Sequence, residues 1–112
     1  MISKPLMAAS SRPIILTILN RNEDYGYNII QKVKEASGGS LAWTDGMLYP
    51  VLQRMEFDGL ITSQWKSAPD RRDRRYYQIT EKGRLERAAE LAGWRDIWAA
   101  LGRLGETVPA GD

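Results

Sequence analysis

Four arginines at positions 71, 72, 74 and 75 follow closely on a segment that reads Thr44-Asp45-Gly46-Met47 and continues through Tyr49, Pro50 and Arg54. The chemistry these residue types support is recognition rather than bond breaking. Guanidinium groups grip phosphate through paired hydrogen bonds. The hydroxyls of Thr44 and Tyr49 can bond a phosphate or a base edge, and Gly46 lets one backbone approach another. From Gln64 to Arg84 seven cations (Lys66, Arg71, Arg72, Arg74, Arg75, Lys82, Arg84) stand against three anions (Asp70, Asp73, Glu81), a local charge of +4 where the whole chain carries +2. Such a stripe is an electrostatic footprint for phosphate. The plainer alternatives are a capped structural helix and a solvated turn in which Asp70 and Asp73 neutralise the arginines.

The rest of the composition excludes competing chemistries. The chain has 112 residues with neither cysteine nor histidine. Disulfides and thiolate metal sites are therefore impossible, and the commonest general base and metal ligand is missing. No nucleophile elbow, phosphate loop or zinc spacing occurs. The expectation is no enzyme, no catalytic residues, no metal and no cofactor. A hydrophobic fraction of 43% with 27% charged residues fits one globular domain. The opening MISKPLMAASSRP lacks the apolar core of a signal peptide, and no apolar run reaches the roughly 18 residues of a membrane span. A soluble, cytoplasmic protein without membrane partners is expected.

The elements that must position the candidate site are legible as periodicities. Ser10 and Ser11 are expected to cap a first helix with Pro13 in its first turn, apolar on most sides through Ile14, Ile15, Leu16, Ile18 and Leu19. Asp24 is expected to cap a second helix carrying Tyr25, Ile29, Val33 and Ala36, stopped by Gly38 and Gly39. Thr44 caps a third, with Asp45 at its positive end and Leu48, Val51, Leu52 and Met55 facing inward. Pro50 deletes one hydrogen bond of that helix, yet the apolar period continues through it, which predicts one helix with a bend. Gly59 ends it and Leu60 folds back. Phe57 falls off the inward stripe, leaving it either beneath the following hairpin or against a partner. Leu60–Lys66 and Arg74–Thr80 read as two strands joined by a turn containing Pro69 and Asp70.

Thr80 caps a last helix running to about Leu104, with Leu85, Leu91, Trp94, Ile97, Trp98 and Leu101 on a broad apolar surface. About 20 helical residues span ~30 Å, more than so small a domain can cover. Trp94, Ile97, Trp98 and Leu101 therefore read as core or dimer packing, or as a flat aromatic pocket for a planar ligand at a dimer interface.

Three short helices and a hairpin describe a winged helix. The fold class expected is mainly α with a small β-hairpin: a winged helix-turn-helix plus a long C-terminal dimerisation helix. The domains follow: residues 1–80 as the DNA-binding unit, 81–106 as the dimerisation helix and 107–112 as a frayed tail. The N-terminal end of the third helix, from Thr44 to Pro50, would meet base edges in the major groove. Arg54, Lys66 and the wing arginines would hold phosphate.

The runs YGYNII at Tyr25–Ile30, GMLYPVLQRMEFDGLI at Gly46–Ile61 and RRYYQITEKG at Arg74–Gly83 resemble the PadR family of transcriptional regulators, in an order and spacing that cover roughly Ser11 to Leu104. The resemblance implies a repressor, a homodimer built through the first and last helices, a near-palindromic operator and the smaller subfamily with a single C-terminal helix. It also implies an effector that is phenolic, drug-like or otherwise planar, with Trp94 and Trp98 as candidate contacts. Three residues depart from the family pattern. Met47 stands where threonine is common, Met55 where leucine is usual and Phe57 where a charge is common. The reading is a sequence-specific double-stranded-DNA-binding regulator released by a planar aromatic molecule. The competing classes are a protein-binding adaptor and a small-molecule-binding protein with little DNA contact.

Overall fold

The computed structural model describes residues 2–106. In chain order the elements are α1 (Lys4–Arg21), β1 (Asp24–Tyr25), α2 (Gly26–Ala36), α3 (Asp45–Phe57), β2 (Ile61–Ser67), β3 (Asp73–Ile79) and α4 (Glu81–Arg103). The tail expected at 107–112 lies outside the described residues.

The first helix begins well before the expected start. Ser3, not Ser10 or Ser11, is its N-cap and accepts from the Leu6 amide at 3.4 Å, with Pro5 in the first turn. Pro13 is internal. The hydroxyls of Ser10 and Ser11 instead fold back on the carbonyls of Met7 and Ala8, at 3.2 and 2.8 Å. A mid-helix proline forfeits a hydrogen bond and strains the preceding turn. Burial of Pro13 itself, with Ile15, Leu16 and Leu19, offsets that local cost.

Asp24 is likewise not the N-cap of α2. Tyr25 occupies that position without a side-chain cap, while Asp24 pairs with Tyr77 in a third strand. The Asp24 carboxylate still anchors the start of α2. Almost fully buried, it accepts from the Tyr25 amide at 2.9 Å and Asn28 Nδ2 at 3.0 Å, and pairs with Lys32 Nζ at 2.6 Å. The expected two-stranded hairpin is therefore a three-stranded antiparallel sheet ordered β1-β3-β2. Its hairpin runs from Ile61 opposite Ile79 to Ser67 opposite Asp73, each strand offset by one residue from its expected bounds.

The third helix forms as its capping residues dictate. Thr44 Oγ1 accepts from the Met47 amide at 3.2 Å, and the helix continues through Pro50 to Phe57. At its end the Leu60 amide donates to Met55 O at 3.0 Å and the Gly59 amide to Glu56 O at 3.1 Å, with Gly59 at φ +78°. This paired closure needs a left-handed residue after the cap, hence glycine. Leu60 then enters the core beside Met55.

The core joins Ile15, Leu16 and Leu19 of α1, Ile29 and Val33 of α2, Leu41, Trp43, Leu48, Leu52 and Met55 around α3, and Leu60, Ile61 and Tyr77 of the sheet. None of these residues comes from α4. That helix attaches at its beginning: Thr80 Oγ1 accepts from the Gly83 amide at 3.1 Å and donates to Gly59 O at 2.7 Å. A Cβ at Gly83 would overlap the Leu60 carbonyl oxygen, so only glycine lets α4 leave the sheet at this angle.

Candidate nucleic-acid interface

The N-terminal end of α3 is open. Thr44, Asp45, Gly46 and Pro50 are exposed, and Tyr49 is 42% exposed. Met47 is half-buried and packs against the core, so only part of it is available to a groove. The Tyr49 ring lies across the start of α2, where a Cβ on Gly26 would overlap its phenol. Gly26 is thus a site residue that the sequence reading passed over, although its place between two tyrosines was a signal. Partial burial, and then the nearby Asp45 carboxylate, raise the Tyr49 pKa above its ordinary 10.0. The phenol therefore keeps its proton at neutral pH and can donate.

The cations fall into two groups. Arg54 projects outward but pairs with Asp58 at 3.3 Å, and its guanidinium lies 5.8 Å from the Phe57 ring centre. Phe57 itself is 84% exposed, which excludes packing beneath the wing. Lys66 pairs with Glu23 and sits 4.6 Å above Tyr76. Arg74 pairs with Asp70 at 2.7 Å and lies 5.0 Å from the ring centre of Tyr25. Arg75 pairs with Glu56 at 3.2 Å. Among the described residues Arg71 and Arg72 make no ion pair and are exposed at the hairpin tip. There the Arg71 amide donates to Ala68 O and the Ala68 amide to Arg72 O, both at 2.8 Å, and Arg71 sits at φ +66°. The turn around Pro69 and Asp70 thus closes on a left-handed residue usually supplied by glycine.

Between the start of α2, the outer side of α3 and the wing lies a cleft of about 500 Å³ that includes Tyr25, Gly26, Tyr49, Gln53, Glu56, Trp65 and Arg75. Gln53 and the largely exposed Trp65 were not among the expected site residues. Helical periodicity turns Gln53 away from the core without assigning it to the site, and the face that Trp65 takes is known only once the strand register is. A second groove, about 670 Å³ and almost wholly apolar, runs between α1, α2 and α4. Trp94, Ile97, Trp98 and Leu101 all line it, facing Leu6, Ile14 and Ile18 of α1. Among the described residues no cluster of acidic side chains is placed to hold a metal ion, and no helix is long and apolar enough to cross a membrane.

A helix presented at its N-terminal end beside a basic hairpin, both seated on a three-helix core, is a winged helix. The PadR-like family of transcriptional regulators matches residues 15–89, and the chain belongs to it. Its members are regulators and not enzymes. An uncharacterised protein of Lysinibacillus sphaericus is 29% identical over 84 residues, which cover 75% of this chain and 77% of that one. Among solved structures, a PadR-like transcriptional regulator from Bacillus cereus is 25% identical with a TM-score of 0.80, the match covering 94% of this chain and all of that one. A PadR family transcription regulator from Clostridium difficile is 27% identical with a TM-score of 0.76, covering 85% and 97%.

Proposed function

We propose that the chain is a sequence-specific repressor that binds double-stranded DNA as a homodimer at a near-palindromic operator. The observation that carries the DNA reading is the open end of α3 beside a hairpin whose tip presents Arg71 and Arg72 without carboxylate partners. Thr44, Asp45, Gly46, Tyr49 and Pro50 form the base-reading end, with Met47 contributing its exposed part. Arg71 and Arg72 take phosphate directly, whereas Arg54, Lys66, Arg74 and Arg75 exchange an internal carboxylate for it. Residues 1–80 serve as the reading unit and 81–106 as the dimerisation helix. The apolar groove supports the dimer: it faces solvent over a length that a single copy leaves uncovered. Paired heads would read half-sites about one helical turn, ~34 Å, apart. A planar aromatic effector fits beside Trp94 and Trp98, and it would release DNA only by binding the released spacing better than the bound one.

Selection of bound fragments from the source genome tests the reading. A recurring inverted repeat is expected, and Arg71→Ala with Arg72→Ala should weaken binding while reducing the slope of log affinity against log salt by about 2. If the wild type shows no preference among genomic fragments at low salt, the reading fails. Quenching of tryptophan fluorescence by a panel of planar aromatics, absent in Trp98→Leu, checks the effector.

A further inference from the structure

Of the four paired cations at the candidate interface, two differ from the others. Arg54–Asp58 and Arg74–Asp70 are local pairs four residues apart. Arg75 and Lys66 instead take carboxylates from outside the hairpin. Glu56 of α3 accepts from Ser63 Oγ at 2.8 Å and from Arg75 Nη2 at 3.2 Å, while Arg75 Nε donates to Ser63 Oγ at 2.8 Å. These three bonds close a ring between the reading helix and both strands of the wing. Glu23, just before β1, accepts from Gln78 Nε2 at 2.8 Å and pairs with Lys66. The register places Ser63 and Arg75 on one face of the hairpin and Lys66 and Gln78 on the other. Each face of the wing therefore carries one cation occupied by a carboxylate of the head.

We infer that Glu56 and Glu23 are specificity residues of the DNA interface, withholding Arg75 and Lys66 from phosphates that are not in register. The inference rests on the DNA reading above. Binding to random duplex is supplied almost entirely by cations on phosphate. A cation already neutralised contributes only by exchanging partners. Each carboxylate here is held by a second donor, Ser63 or Gln78, so a loosely placed phosphate competes poorly. A duplex that seats α3 in its groove holds its phosphates in fixed register, and base contacts add to the exchange. The pairs are half-exposed, with Arg75 45% and Glu56 32% accessible, which keeps them weak enough to open. Discrimination then comes from an element that disfavours the wrong partner.

Glu56→Gln and Glu23→Gln keep the shape of the side chain and an acceptor for its second donor while removing the charge. Affinity for a random duplex and for the fragment selected by the wild type is measured from 50 to 200 mM salt, alongside thermal melts. Each variant should bind random duplex more tightly at low salt, with a slope steeper by about 0.9. The loss of affinity across that salt range should grow about threefold. The preference for the selected fragment should fall. In an Arg75→Gln background, Glu56→Gln should no longer change the slope. Unchanged random binding in both variants overturns the inference, as does weakened binding to both duplexes with a lowered melting temperature, which would make the carboxylates braces only. If the wild type bound no duplex at all, the DNA reading would fall and this inference with it. Wild-type binding with unchanged slopes overturns the inference alone.

Discussion

The head formed by α1 to β3 and the α4 arm use similar side chains to opposite ends. In the head, Ile15, Leu16, Ile29, Leu48, Leu52, Met55 and Ile61 are all essentially inaccessible. In the 23-residue arm the buried position is Gly83, which has no side chain, while Leu85 is 66% exposed, Ile97 53% and Trp98 46%. The shape agrees. The radius of gyration is 15.2 Å, against about 13–14 Å for a compact domain of this length. A head with a closed core has a fold to defend by itself. An arm with open apolar side chains is left uncovered by the described residues, which is what the proposed dimer would use.

The sharpest way to break this contrast is in the head. Leu52→Ala removes a fully buried side chain from the inner face of α3 and should cost about 2–5 kcal/mol in urea denaturation. A loss under 1 kcal/mol would mean the head's core is not what holds it together. The joint between the two regions comes next. Gly83→Ala forces a methyl onto a backbone carbonyl that cannot swing aside, and should cost about 1–3 kcal/mol. Hydrogen exchange should show the damage concentrated in the first turns of α4 and at Leu60, with the α2–α3 core still protected. Uniform loss of protection would show head and arm unfolding as one unit.

The arm itself should respond differently. Trp98→Glu should change the stability of the dilute, monomeric chain by about 1 kcal/mol or less, because the ring is already half in water. Sedimentation at higher concentration should show self-association lost, together with the dependence of melting temperature on protein concentration that association brings. A large loss of stability in the dilute state would place Trp98 in a core after all and erase the distinction.

The same contrast governs what was legible in the sequence. Periodic faces and caps announce themselves, so α3 with Thr44, the stop at Gly59 and Leu60, and the apolar reach of α4 were readable. The start of α1 was not, because the pattern serine–any–proline occurs at Ser3-Lys4-Pro5 and again at Ser11-Arg12-Pro13. Only tertiary burial decides that the chain stays helical through the second. β1 escaped because two residues are too short to show alternation, and because Asp24 anchors α2 from a strand as well as it would from a cap. At the candidate site, residue types marked the arginines and the local carboxylate Asp70 that holds Arg74, but not the distant partners. Glu23 and Glu56 lie 43 and 19 positions from the cations they hold, and nothing in local spacing links them. Gly26 was passed over because its neighbour, the Tyr49 phenol, comes from another helix and only the fold brings the two together.

The smallest effect is expected at the wing tip, where the surface is most open. Asp70 accepts from Arg74 Nη2 at 2.7 Å and from the Arg72 amide at 3.1 Å, and these bonds hold its carboxyl below the ordinary 3.8. A carboxyl depressed by folding stabilises the fold above its unfolded value. That contribution is lost as the pH falls through the lower, folded value. The window therefore lies below pH 3.8, and the effect shrinks with added salt because the pair is exposed. A carboxyl-detected NMR titration should place the Asp70 midpoint below 3.8 in the wild type. In Arg74→Gln it should move back toward that value, while the core resonances of the head stay unchanged. A midpoint indifferent to Arg74 would mean that the tip is held by its turn alone. A shift that also disturbed Leu48 or Leu52 would mean that the wing and the core are coupled more tightly than their separate packing suggests.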